Sequence, residues 1–317
     1  MELVIDARRM LLGGLIDYAG MFPPASLDLE SAVAEYRAAR TGPQGWMLGR
    51  FLCPTSRIED LAGALTQTMA VGETPWSIGA IFDEPAGSGA LHAAVFDRHM
   101  DPAARVTAIE LRAPAEAADG RKASDAADVL RPVATAASSV SPEAIVYLEI
   151  QRSVGWVAGL PAAIDGIASL RREMLRGFGA KLRTGGLDAG AFPTPEEVAA
   201  FIVACHDATL PLKATAGLHH PVRHWDAELG VSRHGFLNLL AAVSLAAEGA
   251  SPDDVAAVVA EDDPDAFGAS PAGLRWRDVR IGAATIRRVR QDAFPGYGSC
   301  SFDEPVADLA RMGILEG

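Results

Sequence analysis

Short apolar runs rich in β-branched and aromatic residues recur along this chain at intervals of roughly 30 residues, the length of one strand–helix unit. They are Leu15–Asp17, Trp46–Cys53, Trp76–Phe82, Val106–Leu111, Ile145–Ile150, Phe178–Leu182 and Leu210–Ala214. Alanine-rich amphipathic stretches lie between them, including Leu29–Ala39 behind Ser26 and Asp28, Ile58–Met69 behind Ser56, and Pro195–Cys205. The last has a strong helix start: Thr194 as N-cap, proline at the first position, and Glu196 and Glu197 in the first turn, where the helix dipole favours anions. Strands that alternate with helices pair in parallel, because a parallel neighbour is reached only through a crossover. Seven such units, with an eighth strand placed in Phe294–Ser301, predict an α/β fold: a closed (β/α)8 TIM barrel rather than an open sheet. No Gly-x-Gly-x-x-Gly follows a strand, which weakens a dinucleotide-binding alternative.

The 317 residues are read as one barrel domain over 1–317, with 49% hydrophobic residues for a large core. Ala115–Val140 reads as a surface helix with loops. The stretch 251–292 reads as a helical insertion before the last strand, with two or three exposed helices. It carries Asp253, Asp254, Glu261, Asp262, Asp263 and Asp265, then Arg275, Arg277, Arg280, Arg287, Arg288 and Arg290. Such a pattern is either a solvated face laced with i,i+4 ion pairs or a subunit contact in a homo-oligomer.

A net charge of −13 argues against nucleic acid or an anionic membrane as partner. The three cysteines, Cys53, Cys205 and Cys300, are far apart, and no Cys-x-x-Cys occurs. Neither a disulfide framework nor a structural zinc site is suggested. The start lacks a basic region, Met10–Ile16 is too short for a signal core, and no run of 18 apolar residues exists. The expectation is a cytoplasmic protein with no membrane span, no metal and no cofactor, acting on a small anionic molecule.

In a barrel the C-terminal ends of the strands carry the chemistry. Side chains alternate along a strand, so Lys181 faces the same way as Arg183, Lys213 as Thr215, Glu110 as Arg112, and Tyr147 as Glu149. With Asp17 at the end of the first run, the mouth gathers Asp17, Glu110 or Arg112, Glu149, Lys181, Arg183 and Lys213. Parallel neighbours lie about 5 Å apart, so both lysines reach one site. Like charges at that range depress a lysine pKa, and a neutral lysine attacks carbonyls to form a Schiff base. The bland reading is a set of ion pairs across the barrel, such as Arg112 with Glu149.

Three segments carry a family resemblance: Lys181-Leu-Arg-Thr184-Gly185, Ala191-Phe-Pro-Thr-Pro-Glu-Glu-Val198, and Leu212-Lys-Ala-Thr-Ala-Gly217. Together they resemble deoxyribose-phosphate aldolase and its class I, Schiff-base relatives. Upstream, Leu15-Ile-Asp-Tyr18, Phe51-Leu-Cys-Pro54 and Tyr147-Leu-Glu149 are similar at lower specificity. The resemblance implies a (β/α)8 barrel and a lyase that makes or breaks carbon–carbon bonds. Lys181 would be the nucleophile and Lys213 its electrostatic partner. Gly298-Ser299-Cys300-Ser301 looks like the family's phosphate loop, with backbone N–H groups there and near Pro305 suited to an anion. The chain departs from the pattern where the relay aspartate is Arg112, a serine is Arg183, a Gly-Gly pair is Ala216-Gly217, and an arginine is His219. Arg112 and Arg183 imply a more anionic substrate, since guanidinium binds carboxylate or phosphate in bidentate fashion. Proton transfer would then fall to Glu149, Glu110, Asp17 or His219.

His219, His220 and His224 follow the seventh run closely. They read as loop packing, an acid–base group, or metal ligands of no standard spacing. Asn238 reads as a packed polar residue or a substrate donor, and Ala19–Ala25 as a rigid turn or a wall of the pocket. Two rival functions stay open. One is a non-covalent isomerase or metal-assisted lyase with Glu149 as base. The other is a ligand-binding barrel that has lost catalysis.

Overall fold

The computed structural model describes residues 6–119 and 122–315. The chain opens with helix α1 (Ala7–Leu12) and then alternates strand and helix: β1 (Ile16–Tyr18), α2 (Leu29–Thr41), β2 (Leu48–Pro54), α3 (Ile58–Thr68), β3 (Trp76–Ile81), α4 (Ala86–Met100), β4 (Ala104–Arg112), α5 (Ala123–Ser138), β5 (Ile145–Glu149), α6 (Trp156–Met174), β6 (Phe178–Arg183), α7 (Pro195–Asp207) and β7 (Leu212–Thr215). A short hairpin, β8 (His224–Asp226) with β9 (Val231–Arg233), precedes α8 (Phe236–Ala247) and α9 (Pro252–Ala260). Then come β10 (Phe267–Ser270), β11 (Gly273–Trp276), β12 (Val279–Gly282), α10 (Ala283–Arg288), β13 (Tyr297–Ser299) and α11 (Asp303–Arg311). Strands β1 to β7 and β13 close into one barrel, all pairs parallel. This is the (β/α)8 TIM barrel that the period implies, with Phe294–Ser301 containing its eighth strand.

The insertion is not wholly helical, which corrects the reading of 251–292. Strands β10, β11 and β12 form an antiparallel meander. The reason is alternation within each strand: Leu274 and Trp276 are buried in β11, and Ile281 is buried in β12 between the exposed Arg280 and Gly282. Arg277 turns the chain in the left-handed region, at φ 50°. The meander docks at the start of the chain, where the Ala7 N–H donates to the Pro271 carbonyl. The acidic half caps rather than pairs. Asp253 and Asp254 sit in the first turn of α9, and Arg287 and Arg288 in the last turn of α10, where each sign suits the helix dipole. Among the described residues the segment holds one ion pair, Arg277 to Glu261 at 2.6 Å.

Two local features set the barrel's upper half. Helix α7 begins with a capping box, in which Thr194 accepts from the Glu197 N–H and Glu197 accepts from the Thr194 N–H. The Glu197 carboxylate also accepts from the Trp156 indole at 2.8 Å, tying α7 to α6. Helix α8 is apolar all round and buried along almost its whole length, as such a helix must be. Its Asn238 is a structural residue: the amide donates to the Val258 and Glu261 carbonyls and accepts from the Arg223 N–H. Trp76 is core, whereas Trp46 is half-buried in a turn under the Arg9 guanidinium. Among the described residues no helix is long and apolar enough to cross a membrane.

Replacing Thr194 with alanine removes one side of the capping box. It should lower stability by about 1 kcal/mol, read as a lower urea midpoint with an unchanged slope.

Candidate functional site

Parallel register places Arg112, Glu149, Lys181 and Lys213 at one level on four consecutive strands, β4 to β7. Asp17 lies on the opposite side of the ring, two strands from β7, and Glu110 one inward position below Arg112. The ammonium of Lys213 is held by Asp17 and Glu110. The other oxygen of Glu110 lies 2.8 Å from Lys181 Nζ, and Glu149 lies 3.0 Å from the same ammonium. Asp17 in turn accepts from the Arg50 backbone N–H at 2.6 Å and pairs with its guanidinium at 3.3 Å. Arg50, Asp17, Lys213, Glu110, Lys181 and Glu149 therefore form one chain of alternating charge. Its three cations balance its three carboxylates.

The close fit depends on glycine. A Cβ on Gly49 would come within 2.3 Å of the Asp17 carboxylate, and one on Gly179 within 2.6 Å of the Tyr147 ring. Tyr147 forms the floor, with the Lys213 ammonium 5.9 Å from its ring centre.

This arrangement corrects one expectation. Each lysine meets carboxylates before it meets the other lysine, so Lys181 is not depressed. Burial works against its charge, but Glu110 and Glu149 outweigh burial and hold its pKa above the ordinary value. Burial likewise pushes the Glu110 carboxyl up. The two ammonium groups outweigh it and bring the pKa down to about 2. The alternative reading, ion pairs across the barrel, matches what forms, with lysines rather than Arg112 as the cations: Glu149 faces Lys181.

Above the charge chain opens a cavity of about 630 Å³. Lys181, Glu149 and Glu110 reach it; Lys213 and Asp17, at 1% and 0% exposure, are sealed beneath. Arg112, Arg183, Thr215, Gly217, His219 and Gly298 are on its walls. The guanidinium groups of Arg112 and Arg183 are exposed and have no side-chain hydrogen bond or ion pair among the described residues. Of the other carboxylates on the cavity wall, Asp83 caps the turn after β2 through Thr55 and Ser56, Glu84 binds His92, and Glu228 stands on the β8–β9 hairpin. Ala216 and Gly217 follow β7 in the left-handed region, at φ 66° and 79°. That is where a Gly-Gly pair would stand at ease, and Thr184 fixes the turn by donating to the Ala216 carbonyl at 2.6 Å.

Besides Lys213 and Asp17, two further candidates do not reach the cavity. Ser299 donates to the Ser301 carbonyl at 2.7 Å, and the Ser301 hydroxyl accepts from the Glu304 N–H. The helix start expected to hold an anion carries Asp303 and Glu304 in its first turn, which opposes one. The histidines separate as well. His219 lines the cavity, and its Nδ1 lies 2.7 Å from Glu304. His220 pairs with Asp308, and His224 packs edge-on against His220. His234 meets the Pro193 carbonyl, and burial lowers its pKa to about 4. Among the described residues no group of three or more His, Cys, Asp or Glu side chains is placed to hold a metal ion.

Sequence reading missed Arg50, although an arginine inside an apolar strand is itself a signal. It also missed Glu304 and Cys300 as partners of His219, which only the closed barrel brings together. The β8–β9 hairpin, which contributes Glu228, Leu229 and Arg233 to the cavity wall, was missed too. Compared with known proteins, the chain matches no family model and no curated sequence.

Removing one member of the charge chain leaves a buried charge unpaired. Lys213→Met should cost about 3 kcal/mol or more in chemical denaturation. Because the folded pKa of Glu110 is depressed, its contribution is full above the ordinary 4.5 and is lost as pH falls towards about 2. Urea midpoints across that window should fall in the wild type, and fall less steeply in Glu110→Gln.

Proposed function

We propose that the cavity is the active site of an aldolase-like lyase, which makes or breaks a carbon–carbon bond beside a carbonyl through a Schiff base on Lys181. The substrate is a small carbonyl compound with a carboxylate or phosphate. One observation carries this reading: of the two lysines only Lys181 reaches the cavity, and a carboxylate that shares the cavity, Glu149, lies 3.0 Å from its ammonium.

In this reading Glu149 takes a proton from Lys181, and the neutral amine adds to the carbonyl carbon. Loss of water gives an iminium, which accepts the electron pair released when the adjacent carbon–carbon bond breaks. Glu149 is then placed to move the protons of the later steps. Arg112 and Arg183 hold the anionic end of the substrate, their guanidinium forks being unengaged. Lys213 stays below, and its charge offsets part of the hold that Glu110 has on Lys181.

A second reading is favoured by the pairing of Lys181 with two carboxylates, which keeps it protonated at rest. Lys181 then stays an ammonium that stabilises an enolate, Glu149 removes the α-proton, and the reaction is an isomerisation without a covalent bond.

Borohydride reduction separates the two. With a panel of phosphorylated and carboxylated aldehydes and ketones, the Schiff-base reading expects a mass adduct mapped to Lys181 and absent in Lys181→Met. Turnover of a panel member with no trappable adduct would establish the second reading instead. The raised pKa of Lys181 makes the neutral amine scarce at neutral pH, so the trapped yield should climb as pH rises above it. Glu149→Gln removes one raising partner and the base together. It should trap adduct more readily at neutral pH while turning over at least about 100-fold more slowly.

A further inference from the structure

The wall of the cavity holds a second set of reactive groups, built from loops that the charge chain does not use. Cys300 follows β13 directly and lines the cavity with 7% exposure. Its Sγ lies 3.4 Å from Nε2 of His219, which also lines the cavity. The other ring nitrogen, Nδ1, lies 2.7 Å from the Glu304 carboxylate. That carboxylate accepts the Nδ1 proton and so leaves Nε2 as the free lone pair beside the thiol. Nucleophile, base and orienting carboxylate stand in the order that activates a thiol. Sγ is also 4.0 Å from Nδ1, so the thiol sits beside the ring, and a turn of the imidazole against Glu304 aligns Nε2. Such adjustment is usual before substrate arrives.

Burial pushes the Cys300 thiol up, and a hydrogen bond from the Ala25 backbone offsets part of this. At rest the group is a thiol, which is the state that needs a base. The other two cysteines differ in position: neither Cys53 nor Cys205 lines this cavity.

We propose that Cys300 is a second nucleophile of the cavity, with His219 as its base and Glu304 as the residue that orients His219, and that it adds to the carbonyl carbon of an anionic aldehyde. The proton of the Sγ–H bond passes to His219 Nε2 as the S–C bond forms. The carbonyl π pair moves onto oxygen, which takes the proton back from His219. The product is a hemithioacetal, formed reversibly with no leaving group and no change of oxidation state. Arg112 and Arg183 on the same cavity select the anionic aldehyde. The proposal shares with the lyase reading only the substrate class and does not require a Schiff base on Lys181.

Two measurements on the intact chain test it. In the first, alkylation by iodoacetamide is followed for each cysteine by peptide mass mapping. Cys300 should react first, ahead of Cys53 and Cys205. His219→Ala should slow it by about 100-fold, and added imidazole should restore part of the rate, which a merely structural role would not permit. Glu304→Ala should slow it less, with Glu304→Asp recovering part of the loss. Relative to free cysteine, anionic iodoacetate should be favoured over iodoacetamide. Equal reactivity of the three cysteines, or an unchanged rate in a His219→Ala protein that melts like the wild type, overturns the activated thiol.

In the second, glyoxylate labelled with ¹³C at its aldehyde carbon is added and followed by NMR. A hemithioacetal carbon should appear with the wild type and with Lys181→Met, and be absent with Cys300→Ser. Its absence from the wild type, or its survival in Cys300→Ser, overturns the aldehyde adduct. Loss of borohydride trapping at Lys181 with the hemithioacetal intact would instead remove the Schiff-base reading alone.

Discussion

Glu110 binds two ammonium groups at once, one through each carboxylate oxygen. Around it runs a chain of alternating charge from Arg50 to Glu149 that ties together strands β1, β2, β4, β5, β6 and β7. Carboxylates and ammonium groups taken out of water lose several kcal/mol of hydration each, and only opposite neighbours at contact distance offset that loss. The network thus holds as a whole, and the deletion of one member exposes its neighbours to the full cost of burial. It also places a geometric demand on the strands. Gly49 and Gly179 occur where any side chain would displace Asp17 or Tyr147.

The six charges cancel among themselves. At the entrance Arg112 and Arg183 have no side-chain partner among the described residues, and the acids Asp83, Glu84 and Glu228 share the wall with them, so the opening carries both signs of charge above a neutral network. The two lysines, equivalent in spacing, are thereby separated in role: one closes the network from below and the other opens onto the cavity.

The barrel was legible because a period near 30 residues leaves a parallel sheet few alternatives, and alternation along strands placed Glu110, Glu149, Lys181 and Lys213 inward. The order of the charges was not legible. It depends on barrel closure, which brings Asp17 of β1 to Lys213 of β7, and on which oxygen of Glu110 turns to which lysine. Without those carboxylates in view, two lysines one strand apart suggested mutual repulsion, whereas each is matched first by acids. The insertion was misread for a different reason. Its charges suggested a helical face, while Leu274 and Trp276 already alternated with Arg275 and Arg277 as strand residues do. Cys300, His219 and Glu304 come from the loops after β13 and β7 and from α11. No spacing in the chain announces that they meet.

The β8–β9 hairpin is held by an ion pair between Asp226 and Arg233 at 2.6 Å and covers one side of the cavity with Glu228, Leu229 and Arg233. It grows out of the loop after β7 and shares no member with the buried charges. One side of the cavity wall is thus separable from the buried charges: residues of the hairpin can change, and with them the shape of the opening, while the costly network stays untouched and the barrel keeps its stability.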